Sequence, residues 1–359
     1  MKQAFTGADI FDGHVLHPGA CLVTENGKVL GIWADAPADA QVVRLPSGTL
    51  APGFLDLQVN GGGGVMVDGQ TTADTLAQLC ALHGRLGATG ILPTLITDTA
   101  DATQRVIHAG IEAARAGVPG FLGLHLEGPH LDPRRKGAHD SGLIRPMTAA
   151  DLDLYCKAAR QLPGLMLTLA PASVTADQIA TLAAAGVVVS LGHSEASFAE
   201  AQMAIRAGAH CATHLFNAMS QLGNRDPGMV GAVLSSDLAA GLIADGHHVA
   251  IATLRIALAA RPSGLFLVSD CMALAGTDLT EFTLGGRRIL RAGGRLTLED
   301  GTLAVRPDGD IVGTEEGNEW RPDELEAAAG KLTAELARLV RWCKLAPNYE
   351  PPGDQTNTG

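Results

Sequence analysis

The chain has 359 residues, 46% of them hydrophobic, with 44 glycines and a formal net charge of -12 at pH 7. That length exceeds the roughly 250 residues of one (β/α)8 barrel, so a barrel plus an accessory part is the natural partition. The acidic balance argues against nucleic acid and anionic membrane as partners, since both attract basic surfaces, and leaves any anionic substrate to a local basic pocket.

From the N-terminus, residues 1–48 read as a small β layer: Ala20 to Thr24 and Lys28 to Trp33 flank Glu25-Asn26-Gly27, and Asn-Gly between apolar runs is a hairpin signal. Residues 49–275 then alternate between strands and helices. The spacing predicts strands over 53–59, 90–96, 120–126, 165–170, 187–191, 210–214, 241–244 and 265–268, with helices over 72–86, 102–116, 149–161, 176–185 and 250–260. Eight strands with helical crossovers close a barrel. Residues 276–304 return to β-hairpin patterning, and 305–359 form a divergent tail with one amphipathic helix over 322–345. The expected fold is therefore α/β, a (β/α)8 TIM-type barrel with a small β-sandwich-like accessory layer.

The six cysteines, Cys21, Cys80, Cys156, Cys211, Cys271 and Cys343, form no CxxC pair, and nothing at the N-terminus resembles a signal peptide. No apolar run reaches the ~18 residues of a membrane span. A reducing cytoplasm is the expected compartment.

Three predicted strands deliver one chemical group each to the carboxyl rim of the barrel. Glu127 ends an apolar run before Gly128-Pro129, His193 follows Leu191-Gly192, and His214 follows Ala212-Thr213. Taken singly, each has a plain structural reading: a salt bridge for Glu127, helix capping beside His193, a satisfied core imidazole for His214. Together, one carboxylate and two imidazoles make a three-ligand catalytic metal site with a coordination position left for water. Asp270, at the end of the eighth strand, is placed to act as general base and then general acid. Gln58 and Asn60 share one side of the first strand. Amides bind metal poorly, so no second metal is expected there. Arg134, Arg135 and Lys136 read as ordinary surface charge, whereas Arg225 and His248 are candidates for an anion such as phosphate.

These motifs carry a family resemblance. Pro52-Gly53-Phe54-Leu55-Asp56-Leu57-Gln58-Val59-Asn60-Gly61, His125-Leu126-Glu127-Gly128-Pro129, Lys136-Gly137-Ala138-His139, Gly192-His193-Ser194, Thr213-His214-Leu215-Phe216-Asn217-Ala218-Met219, Ile243-Ala244-Asp245-Gly246-His247-His248-Val249 and Leu267-Val268-Ser269-Asp270 resemble the N-acetylglucosamine-6-phosphate deacetylases of the amidohydrolase superfamily over residues 1–304. The resemblance implies removal of acetate from N-acetylglucosamine 6-phosphate in amino-sugar catabolism. It assigns one divalent metal, zinc first and Fe2+ or another ion second, to Glu127, His193 and His214. Asp270 would activate the metal-bound water and protonate the leaving amine, and His139 would help polarise the acetyl carbonyl. Ala138, His139, Asn217, Ala218, Leu303 and Ala304 would contact the sugar, and Arg225 and His248 its phosphate across a homodimer interface. Gln58 and Asn60, standing where other superfamily members carry His-x-His, match the one-metal branch.

The resemblance stops after Asp300-Gly301-Thr302-Leu303-Ala304, where Val305-Arg306-Pro307 begins a foreign tail, and it implies an accessory layer that is incomplete at the C-terminus for want of its returning strands. That departure leaves two alternatives standing: a related one-metal amidohydrolase acting on another N-acyl amino sugar, or an inactive sugar-phosphate-binding remnant.

Overall fold

In the computed structural model of the chain, residues 1–284, 287–292 and 295–298 are described. Leu303, Ala304 and the 305–359 tail with its expected 322–345 helix lie outside them, as does the Gly285-Gly286 turn. The chain divides into two compact units, the first ending at Phe54 and the second beginning at Leu55.

In the first unit, β1 (Lys2–Thr6), β2 (Asp9–Phe11), β3 (Leu16–His17), β4 (Cys21–Glu25), β5 (Lys28–Trp33), β6 (Gln41–Arg44) and β7 (Thr49–Leu50) form two sheets, ordered β5-β4-β1-β6 and β3-β2-β7. The β4-β5 hairpin turns through Asn26 and Gly27 at φ 51° and 78°, the left-handed pair that a two-residue turn requires. Ala4, Cys21 and Val23 form its buried centre.

The second unit carries an eight-stranded parallel sheet. In chain order it contains β8 (Phe54–Val59), the short pair β9 (Gly61–Gly62) and β10 (Val65–Met66), α1 (Ala73–Arg85), β11 (Ala88–Ile96), α2 (Ala100–Arg115), β12 (Leu124–Glu127), α3 (Ala149–Ala159), β13 (Leu165–Leu169) and α4 (Ala176–Ala184). There follow β14 (Val188–Leu191), α5 (Phe198–Ala207), β15 (Cys211–Ala212), α6 (Gly228–Leu234), β16 (Ala239–Leu242), α7 (Ile251–Ala260) and β17 (Leu265–Leu267). The sheet runs in order from β17 down to β11 and then β8. It closes on itself at a parallel bridge between Val59 and Cys271, where Asp270 N–H donates to Gln58 O at 3.0 Å and Asn60 N–H to Cys271 O at 2.9 Å. This is the expected barrel. Three antiparallel strands, β18 (Glu281–Leu284), β19 (Arg287–Ala292) and β20 (Arg295–Leu298), follow it.

Capping boxes start four of the helices: Thr72 with Thr75, Thr148 with Asp151, Thr175 with Gln178, and Ser197 with Glu200. The helices named from the spacing do not include α5 and α6, and Ser197 with Glu200 spells the start of α5. The expected strand over 210–214 shortens to Cys211–Ala212 because His214 leaves extended geometry at φ 31°.

Strand alternation sorts the barrel residues. Leu124, Leu126, Leu165, Leu167, Val189, Leu191 and Ala212 face outwards into the large core shared with the helices. Inside, Leu57, Leu92, Met166, Val188, Cys211, Ala239 and Phe266 form an apolar plug. One step nearer the carboxyl ends lies a dry polar tier of Thr94, His125, Thr168, Ser190 and Thr213, each at most 2% exposed. His125 Nδ1 faces the Leu57 carbonyl at 3.1 Å and must carry the proton, so Nε2 accepts from the Thr168 hydroxyl at 2.7 Å. Thr213 stands 2.6 Å from both Thr168 and Ser190. Each buried hydroxyl thus has a partner, and the tier forms a satisfied floor under the rim. Among the described residues no helix is long and apolar enough to cross a membrane.

Candidate active site and metal centre

Three side chains from three strand ends meet on that floor. Glu127 is the last residue of β12, and His193 and His214 lie just past β14 and β15. Glu127 Oε1 is 3.2 Å from His193 Nε2 and 3.1 Å from His214 Nε2, and the two nitrogens are 3.1 Å apart. All three residues are at most 5% exposed. His193 Nδ1 faces the Arg135 carbonyl at 2.7 Å, so its proton is on Nδ1 and its Nε2 lone pair points at Glu127. A carboxylate oxygen and an imidazole lone pair at this separation repel unless a cation or proton lies between them. Atoms bound to one tetrahedral ion at ~2.0–2.1 Å stand about 3.3 Å apart, close to the sides of this triangle. The donor set therefore fits a divalent ion. Burial opposes the Glu127 charge, but positive charge shared with His193 and His214 outweighs it and holds the carboxyl well below the usual carboxylate range, the same preference for a cation at this point.

His139 is also near, with ligand atoms of Glu127, His139 and His193 mutually within 4.8 Å. Its tautomer separates it from the ligands. Thr97 N–H donates to His139 Nδ1 at 3.2 Å, and burial above all pulls the ring down to about 3, so it is neutral with its proton on Nε2. That nitrogen can donate a hydrogen bond but cannot ligate a metal in this state. Its ring packs edge-on against His193 with centroids 4.3 Å apart.

Asp270, 8% exposed, lies past β17 and accepts from Asn60 Nδ2 at 2.7 Å. Burial and then the Glu127 charge push it up to about 7. Gln58 Nε2 donates to Glu127 Oε1 at 3.2 Å. Both amides thus spend their N–H groups on the two carboxylates of the site. The Ser269-Asp270 turn is tied to the buried Asp56, which accepts from Ser269 N–H at 3.3 Å.

The backbone at these positions is unusual. His193, His214 and Asp270 have φ of 46°, 31° and 50°, and Phe216 and Ala218 have 79° and 50°. Left-handed geometry is disfavoured for residues with a Cβ, and it clusters here at the strand ends that aim side chains inwards.

Of the remaining candidates, Asn217 Nδ2 is buried without a partner among the described residues, while the Asn217 backbone N–H donates to His214 O at 2.9 Å. Ala218 O accepts from Ser194 N–H at 2.9 Å, joining the two ligand-bearing turns. Ala138 O accepts from the Arg287 guanidinium. Residue-by-residue reading passed over Arg287, whose only signal was its place in a hairpin. His248 Nδ1 is 2.6 Å from Asp245 Oδ2, while its Nε2 is buried without a partner among the described residues. Arg225 stands exposed on the loop before α6. Arg134 and Arg135, expected as free surface charge, pair with Asp132 and Glu195.

A parallel barrel with a carboxylate, two imidazoles and a further carboxylate at its carboxyl rim defines the class, a metal-dependent amidohydrolase. No family model matches the chain. It is 42% identical over 304 residues to an N-acetylgalactosamine-6-phosphate deacetylase of Shewanella, covering 83% of this chain and 77% of that one. It is 34% identical over 311 residues to the N-acetylglucosamine-6-phosphate deacetylase of Haemophilus influenzae, covering 85% and 81%. The crystal structure of N-acetylglucosamine-6-phosphate deacetylase from Pasteurella multocida superposes with a TM-score of 0.82 at 34% identity, over 86% of this chain and 81% of that one. The chain belongs to the N-acetylglucosamine-6-phosphate deacetylases of the amidohydrolase superfamily.

Proposed function

We propose that the chain hydrolyses N-acetylglucosamine 6-phosphate to glucosamine 6-phosphate and acetate. The observation that carries this reading is the Glu127-His193-His214 triangle, with Asp270 hydrogen-bonded to Asn60 and to the carbonyl of Gln58, whose side chain donates to Glu127. An amide resists water because the nucleophile is weak and the amine leaves poorly. A divalent ion held by the triangle, zinc by preference for this donor set, supplies Lewis acidity that makes water nucleophilic near neutral pH. Asp270 accepts the proton of the attacking water and returns it to the amine nitrogen as the C–N bond breaks. His139, with its proton on Nε2, donates to the acetyl oxygen as charge develops there. Gln58 and Asn60 hold the two carboxylates by hydrogen bonds.

The buried, unpartnered His248 Nε2 and the exposed Arg225 are assigned to the phosphate. Both are assigned to the partner's site across a homodimer interface, and the compartment to the cytoplasm. Asn217, Ala218 and Ala138 are assigned to the sugar. The Shewanella relative favours a second substrate, the C4 epimer N-acetylgalactosamine 6-phosphate. Glu127, His193 and His214 meet within 3.2 Å of one another, which weighs against an inactive remnant.

Amine release from N-acetylglucosamine 6-phosphate, its galactose epimer and the unphosphorylated sugar tests the reading. The phosphorylated substrates should be preferred, and Glu127→Ala and Asp270→Asn should each lose several orders of magnitude in kcat/KM. Unchanged rates in either variant would remove the mechanism.

A further inference from the structure

The loop over 132–137 supports the metal centre from behind. We infer that Asp132 is a positioning residue for the metal, acting through the Arg135 carbonyl on His193; this rests on the metal-centre reading above. Asp132 is 2% exposed, and its carboxylate is taken up by its own loop and the turn after His193. Its Oδ1 accepts from Arg134 N–H at 3.0 Å and Arg134 Nε at 3.0 Å, and its Oδ2 from Arg134 Nη2 at 2.7 Å and Glu195 N–H at 3.2 Å. Its backbone N–H donates to His193 O at 2.9 Å, and its own carbonyl accepts from Arg135 N–H at 2.9 Å. One carboxylate thus ties the 132–137 loop to the turn that carries His193.

The result of that tie is the 2.7 Å contact between the Arg135 carbonyl and His193 Nδ1, which fixes both the tautomer and the ring plane. Such outer partners raise the basicity of an imidazole ligand and hold it in register. Two further features brace the same carbonyl. The Arg135 side chain pairs with Glu195, and Gly137, at φ 54°, lies so close that a Cβ there would stand 3.0 Å from His193 Cε1.

Replacing Asp132 by Asn keeps the volume but turns an NH2 towards one of the two sets of donors. The test is competition for Zn2+ between the metal-free full-length protein and a chromophoric chelator, together with the Co2+ absorption spectrum and thermal unfolding of the metal-free protein. Asp132→Asn should weaken Zn2+ binding about 10- to 100-fold and alter the Co2+ band, and Glu195→Gln should shift both in the same direction by less. Asp151→Asn removes a comparable ion pair with Arg145, at 2.6 and 2.7 Å, that does not touch His193. It should lower thermal stability and leave Zn2+ affinity unchanged. Wild-type affinity in Asp132→Asn and Glu195→Gln, or an equal loss in Asp151→Asn, overturns the positioning role alone. A wild-type protein that takes up no Zn2+ or Co2+ overturns the metal centre and this inference with it.

Discussion

Two carboxylates share the site, and their surroundings push them in opposite directions. Glu127 is held low by the imidazoles at its oxygen, whereas Asp270 is pushed up to about 7 by burial and then by the Glu127 charge. A base must be ionised to accept a proton, so kcat/KM should fall as pH drops through the Asp270 value. A cation on Glu127 cancels the second cause, which sets the midpoint of that limb at or below about 7 in the loaded enzyme. Asn60→Ala removes a hydrogen bond to the charged form, and the limb should then move to higher pH. A limb that stays in place in Asn60→Ala would separate Asp270 from proton transfer. The residue types at Glu127, His193, His214 and Asp270 were legible as strand-end chemistry. The tautomers were not, because they depend on Arg135 O and Thr97 N–H, contributed by other segments.

At the scale of elements, the strands do more than carry ligands to the rim. Gly192 links β14 to His193, and a Cβ there would stand 2.7 Å from Thr168 Cγ2 and 2.9 Å from Thr213 Cβ, inside the polar tier. Gly192→Ala should lower stability by ~1–3 kcal/mol through overpacking and weaken Zn2+ binding by displacing His193. Gly84, exposed in α1 with nothing within 4 Å of an added Cβ, is the matching control. Gly84→Ala should gain up to about 1 kcal/mol, read in both cases from urea unfolding. Equal midpoints for the two variants would mean that the tier tolerates expansion. The capping boxes made most helix starts readable. Ser197 with Glu200 marks the start of α5 as plainly as the other boxes, whereas α6 is seven residues long and begins without a side-chain cap, so nothing local announces it.

For the whole molecule, the buried histidines set an acid limit. Burial pulls His125 and His210 down to about 4 and His139 to about 3. Each is neutral in the folded chain and protonates more readily when unfolded, near the ordinary value of ~6.5. Their contribution is therefore fully present above that value and is lost as pH falls towards about 4, because the unfolded state binds the extra protons. Urea midpoints of the metal-free protein should fall steeply across that window, and His210→Gln should flatten the slope. A midpoint that is flat with pH would contradict neutral burial.

By itself the amino-acid sequence determined the barrel, the hairpin at Asn26-Gly27 and the residues that reach the rim. Those follow from local rules: alternation, turn chemistry and the placement of a lone polar group at the end of an apolar run. Only the tertiary structure decided how the rim groups are aimed. The left-handed backbone at His193, His214 and Asp270, the hydroxyl tier beneath them and the Asp132 loop behind His193 are held by partners far away in the chain. A strained φ is maintained only when the surrounding packing over-determines it, and no local pattern records that.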